Sequence, residues 1–151
     1  MPDGRPSQRD DSVRDVEHAI SAIVLWATRN DIHRETMRRA RCDLPSGHVW
    51  LLTRLETCGP VRLGELAALL GIDNSTLTPQ AQRLEREGLV VRETDPSDGR
   101  AALLRVTRTG ERLLARLHAS RRTLLVERLA EWPAADRAQA AAILFRLASA
   151  L

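Results

Sequence analysis

Apolar residues recur at helical spacing through most of this chain, and the places where the rhythm breaks divide it into segments. Val13, Val16, Ile20, Ile23, Val24, Trp26 and Ala27 give one broad apolar face, interrupted near Asn30-Asp31. Ile32 to Arg41 continue in a more charged vein until Pro45 marks a break. Val49, Leu51, Leu52 and Leu55 predict the next helix, closed by Gly59-Pro60, and Val61-Arg62-Leu63 reads as a short strand. Beyond residue 107 the leucines Leu113, Leu114, Leu117, Leu124, Leu125 and Leu129 predict a long helix that Thr107 can cap. Trp132-Pro133 breaks it, and Ala134 to Ala150 reads as a last helix with Ile143, Leu144 and Leu147 on one stripe.

The stretch from Leu63 to Gly110 carries the most specific order: helix, turn, helix, hairpin. Leu63, Leu66, Leu69 and Leu70 make a short amphipathic helix, and Gly71 stops it because glycine adopts the left-handed conformation at little steric cost. Asp73 can accept hydrogen bonds from the first free amides of a second helix starting near Asn74. Leu77, Ala81 and Leu84 form that helix's apolar face, and Gly88 ends it. Leu89–Thr94 and Ala102–Thr107 are short β-prone runs, joined by a tip of Asp95-Pro96-Ser97-Asp98-Gly99-Arg100. This order predicts a winged helix-turn-helix, and hence duplex DNA as the partner.

At about 100° per residue, Ser75, Pro79, Gln82 and Arg86 lie opposite the core side of the second helix, with Thr76 and Arg83 beside them. Ser75, Thr76, Thr78, Gln80 and Gln82 are therefore expected near base edges or phosphates, while Arg83 and Arg86 would mainly anchor the backbone. Arg100 emerges near the wing tip, where a planar cation can enter a narrow minor groove. Asp98 could hold that arginine or the neighbouring backbone. Pro79 removes an amide from the second turn, which costs about 3 kcal/mol in mid-helix, and either bends the helix slightly or sets its angle in the groove.

Leu63-Gly64-Glu65-Leu66-Ala67, Ser75-Thr76-Leu77-Thr78, Arg83-Leu84-Glu85, Gly88-Leu89-Val90 and Asp95-Pro96-Ser97-Asp98-Gly99-Arg100-Ala101 follow one another in register. With this set the chain resembles the MarR family of bacterial transcription regulators over nearly its whole length. The resemblance implies a mainly α fold, a winged helix-turn-helix with a small β-hairpin wing and N- and C-terminal dimerisation helices. It implies a single domain over 1–151, with a DNA-binding lobe at about 61–108 and helical dimerisation regions at about 11–58 and 108–151. It further implies a homodimer on a pseudo-palindromic operator, usually a repressor, released by a small-molecule effector or by oxidation. Thr78-Pro79 is similar to the Thr-Pro of the hydroperoxide-sensing branch. That branch keeps a reactive cysteine near its first helix with tyrosine partners, whereas this chain has no tyrosine and no cysteine before Cys42. Peroxide sensing is therefore not carried over.

Composition sets limits. At 151 residues one domain is expected, large enough to bury a core. The net charge is +3, and all 23 basic residues are arginine, which suits phosphate and guanine edges, although a complete absence of lysine points to compositional bias more than to recognition. The chain has no apolar run of membrane-spanning length, and Met1 to Asp11 is polar, so a cytoplasmic protein without membrane partner is expected.

Cys42 and Cys58 lack metal-site spacing and read as ordinary thiols. His18, His33, His48 and His118 are scattered, so neither metal nor cofactor is expected. Trp26, His48 and Trp50 are candidates for an effector pocket, although aromatics on apolar faces equally suit a core. Arg38, Arg39 and Arg41 suit a solvated helix end as well as they suit phosphate. Nothing resembles a nucleophile elbow or a phosphate-binding glycine loop, so no enzyme is expected. Two other readings stay open: a winged-helix interaction module that does not read DNA, and an activator rather than a repressor.

Overall fold

The structure, a computed structural model, describes residues 8–150. Among them are seven helices and one small sheet: α1 (Gln8–Ala27), α2 (Asn30–Ala40), α3 (Ser46–Cys58), β1 (Val61–Arg62), α4 (Leu63–Leu70), α5 (Asn74–Arg86), β2 (Val90–Asp95), β3 (Asp98–Val106), α6 (Arg108–Arg128) and α7 (Ala134–Ala148). This is the mainly α, winged helix-turn-helix architecture expected from the sequence. Of the polar N-terminal stretch Met1–Asp11, residues 1–7 lie outside the described residues.

The core is one leucine-rich cluster at the centre of the lobe. Leu51, Leu52 and Leu55 of α3, Leu77 and Leu84 of α5, Leu104 of β3, and Leu114 and Leu117 of α6 are essentially inaccessible to water. Each such side chain stabilises the fold by about 1.5–3 kcal/mol relative to exposure. In α4 the burial differs from the periodicity reading: Leu66 and Ala67 are buried, while Leu69 is 69% exposed. Leu69 stands at the edge of the apolar stripe, and no neighbouring element covers that edge.

The long N-terminal helical segment is broken at Thr28 and Arg29, beside the interruption expected near Asn30-Asp31. The Thr28 hydroxyl donates to the Val24 carbonyl at 2.8 Å, and Arg29 forks onto Asp31 as α2 begins. Arg41 ends α2 in the left-handed conformation, with Cys42 N donating to Met37 O. Gly71 plays the same part after α4, at φ +64°. Thr107 caps α6 as predicted, accepting from the Gly110 amide at 3.1 Å. Asp73 precedes α5 in extended conformation, but its side chain makes no capping bond. The expected cap is thus one of position only.

The sheet runs β1-β3-β2, antiparallel throughout. The second wing strand begins at Asp98, four residues before the expected start at Ala102. Asp95 pairs with Asp98 across a two-residue turn of Pro96 and Ser97, while Thr94 pairs with Ala102. Gly99, Arg100 and Ala101 are consequently left as a bulge on β3.

The terminal helices contrast with this lobe. Val13, Val16, Ile23, Val24 and Leu25 of α1 are exposed, as are Leu125 and Val126 of α6 and Ile143, Leu144 and Phe145 of α7. No residue of α7 is buried.

Candidate nucleic-acid interface

Helix α5 is anchored by Leu77, Ala81 and Leu84 and runs unbroken through Pro79. Its outward face carries Ser75, Thr76, Pro79, Gln82 and Arg86, all exposed, as the periodicity predicted. Arg86 has no ion pair or hydrogen bond among the described residues, so its guanidinium is free. The face therefore presents two hydroxyls, an amide and an unpaired cation.

Three other residues expected on this face are engaged elsewhere. Thr78 donates its hydroxyl proton to the Asn74 carbonyl at 2.7 Å, which leaves only acceptor capacity outward. Gln80 turns inward. Its amide lies against Gly47 at the start of α3, and its Oε1 is buried without a hydrogen-bond partner among the described residues. Gln80 is thus a helix-packing residue here, because one step of about 100° carries it from the outer face to the α3 side. Arg83 is half-buried and donates to Glu87 at 2.9 Å, one helical turn on, so its charge is locally balanced. It lines a cleft with Arg41 and Asp43 rather than standing clear of the surface.

The wing tip is built around carboxylates. Asp95, 7% exposed, accepts from both the amide and the hydroxyl of Ser97 and from Arg62. The two Ser97 donors and then the Arg62 guanidinium hold its carboxyl at a pKa of about 2. Asp98 takes the backbone amide of Arg100 at 3.1 Å, so it holds the backbone and not the guanidinium. Arg100 is exposed on the bulge, and its guanidinium has no partner among the described residues. Arg105 pairs with Glu93 across the hairpin below the tip.

The comparisons with known proteins fall on this same unit. Residues 44–102 match the family model described as MarR family. The crystal structure of the transcriptional regulator Tm0710 from Thermotoga maritima superposes with a TM-score of 0.70 at 26% identity, covering 91% of this chain and 94% of that one. Residues 44–102 thus carry a MarR-family match, and the chain as a whole resembles MarR-family regulators in fold. The crystal structure of MarR itself matches with a TM-score of 0.66 at 26% identity over 87% of this chain and 88% of that one. An HTH-type transcriptional regulator of Bacillus subtilis, YxaD, is 29% identical over 93% of this chain and 95% of its own length.

Of the expected effector residues, Trp26 and Trp50 line adjoining clefts and His48 lies apart from both. Trp26 lines a cleft of about 160 Å³ with Ile32, Met37 and Leu124. Trp50 lines a neighbouring cleft of about 410 Å³ with Ser46, Val49 and Thr53. The two share Ala27, His33 and Arg121. His48 borders neither, because it lies on the other side of α3. Its Nδ1 is buried without a partner among the described residues, and burial, followed by the nearby Arg83, lowers its pKa. His33 takes its place at the cleft.

Of the arginines at the end of α2, Arg38 and Arg39 both bind Glu35, and Arg39 also reaches Glu127 of α6. They brace helices. Cys42 is buried and Cys58 exposed. Among the described residues no group of three or more histidines, cysteines or carboxylates could hold a metal ion, and no helix is long and apolar enough to cross a membrane. Arg62 was missed by the sequence reading, since its carboxylate partner lies 33 positions away.

Proposed function

We propose that this chain is a sequence-specific, double-stranded-DNA-binding transcriptional regulator that acts in the cytoplasm as a homodimeric repressor on a pseudo-palindromic operator. The observation that carries the reading is the outward face of α5, where Ser75, Thr76, Gln82 and Arg86 are exposed beside a wing bulge presenting Arg100. A surface kept for protein contact would be expected to centre on apolar anchors, which this face lacks. Recognition helices in successive major grooves would read base edges with Ser75, Thr76 and Gln82. Thr78 can accept at its rim, Arg86 neutralises phosphate, and each Arg100 enters the flanking minor groove.

Surface area supports the dimer. The chain exposes 11129 Å², against about 7,600 Å² for a compact monomer of this mass. The excess is more than the roughly 1,000–2,500 Å² per subunit that an obligate homodimer interface commonly covers, and α1, the end of α6 and α7 hold the uncovered apolar side chains. A small-molecule effector in the adjoining clefts of Trp26 and Trp50 would shift the α2–α6 framework, and with it the spacing of the two reading helices.

The reading is tested by selecting duplexes from a random-sequence library with the purified protein. It predicts an inverted repeat whose half-sites are centred about 34 Å apart, bound by a dimer. Arg100→Ala should weaken that binding by about 1–3 kcal/mol per half-site. Retention of no duplex at modest salt would return the fold to the role of a protein-interaction module.

A further inference from the structure

Arg62 belongs to neither the reading helix nor the wing, yet it grips both ends of the wing turn. Its Nε lies 2.7 Å from Asp95 Oδ2, and one terminal nitrogen lies 2.6 Å from the same oxygen and 3.6 Å from Asp98 Oδ2. Asp95 in turn holds Ser97 with its other oxygen, and Asp98 holds the Arg100 amide. Arg62 also stands immediately before the first residue of α4 and pairs with Leu103 of β3 in the sheet. One side chain thus ties the turn that precedes Arg100 to the helix that supports α5.

We propose that Arg62 is a positioning residue for DNA reading: its fork onto Asp95 and Asp98 sets the angle at which the Gly99–Ala101 bulge presents Arg100. The physical case is one of constraint. A three-residue bulge on an exposed hairpin has no ladder bonds to hold it. A forked arginine–carboxylate contact is directional, and the low exposure of Asp95 limits competition from water. With those donors committed to carboxylates, Arg62 is poorly placed to neutralise phosphate itself. Removing it frees the turn while leaving the Arg100 guanidinium intact.

The inference rests on the reading that Arg100 enters DNA, so the experiment separates the two. Affinity for the selected duplex is measured for the parent, Arg62→Gln, Arg100→Ala and the double variant, with thermal midpoints recorded for each. Hydroxyl-radical footprints are taken alongside. Arg62→Gln is expected to weaken binding by about tenfold per half-site, in line with loss of one groove contact in each. The double variant should bind no worse than Arg100→Ala alone, the signature of two residues acting through one contact. Protection of the backbone at the flanks should vanish in Arg62→Gln, with the protection at the centre of the site retained. Should Arg62→Gln fail to fold, Arg62→Lys, which keeps the charge and loses the fork, is read by the same cycle. Parental affinity in the Arg62 variant, or losses that add in the double variant, would overturn the positioning role while Arg100→Ala remains weakened. An Arg100→Ala chain that binds like the parent would remove the wing from DNA reading, and the role of Arg62 with it.

Discussion

A β-carbon on Gly110 would stand 2.7 Å from Val106 Cγ1 and closer still to the carbonyl oxygen of Leu89, so the first turn of α6 is pressed onto the chain entering β2. Thr107 adds two bonds at the same junction, its hydroxyl to the Gly88 carbonyl and its amide to the Leu89 carbonyl. Gly110→Ala should therefore destabilise the protein by about 1–3 kcal/mol through overpacking. Gly47 is the contrast, because its added carbon would meet only the flexible Gln80 amide at 3.4 Å. Gly47→Ala should be neutral or stabilising by up to about 1 kcal/mol. Urea unfolding of the two variants checks both. Equal losses would refute the packing argument.

Arg83 and Arg86 share the last turn of α5, but only Arg83 has a partner, Glu87. Arg86→Ala is expected to reduce the slope of log affinity against log salt by about 1.8, one phosphate contact of about 0.9 in each of the two half-sites. Arg83→Ala should change that slope much less, since its charge is already balanced. Titrations of one selected duplex at several salt concentrations decide it, and the reverse order would show that DNA draws Arg83 away from Glu87.

Acid should unfold the protein through two carboxylates in particular. Asp95 is held at about 2 by Ser97 and Arg62, and Glu35 at about 2 by Arg38 and Arg39, against ordinary values of 3.8 and 4.5. Both remain ionised in the folded chain where the unfolded chain has taken up protons. Their stabilisation is complete above about pH 5 and is lost as the pH falls toward 2. Asp95→Asn should flatten the dependence of unfolding free energy on pH in that window. Parallel curves for variant and parent would remove Asp95 from the account.

His48 acts at higher pH. Burial and the neighbouring Arg83 lower its pKa below 6.5, and Glu87 opposes them. The folded chain resists a proton that the unfolded chain accepts, so stability is full above about pH 6.5 and declines as the pH falls below it. His48→Gln should lose that decline between pH 7.5 and 5.5 in thermal melts. A decline of the same size in the variant would assign it to another histidine.

Much of the fold was legible because its signals are local. Gly71, Thr107 and Pro45 mark helix ends through their own backbone and side-chain chemistry, and each stands at the expected boundary. The outer face of α5 was legible for the same reason, since Leu77, Ala81 and Leu84 define the opposite side by angle alone. The turn at Pro96-Ser97 was less so. Asp-Gly suggests a hairpin tip, but Asp95 and Asp98 are register partners, which places the turn two residues earlier, at Pro96-Ser97, and pushes the irregularity onto Gly99–Ala101.

By itself, then, the order of residues determined the succession of helices and strands, the core side of each, and which stretch of the chain resembles a DNA reader. Folding in three dimensions decided which of the polar groups are free to act. Gln80 and Arg83 are occupied by Gly47 and Glu87, His48 faces α5 instead of the clefts beside Trp26 and Trp50, and Arg62 grips a carboxylate 33 positions away. The reason is physical: periodicity reports the angle of a side chain about its own helix, whereas its availability depends on what neighbouring elements press against it, and only packing brings those elements together.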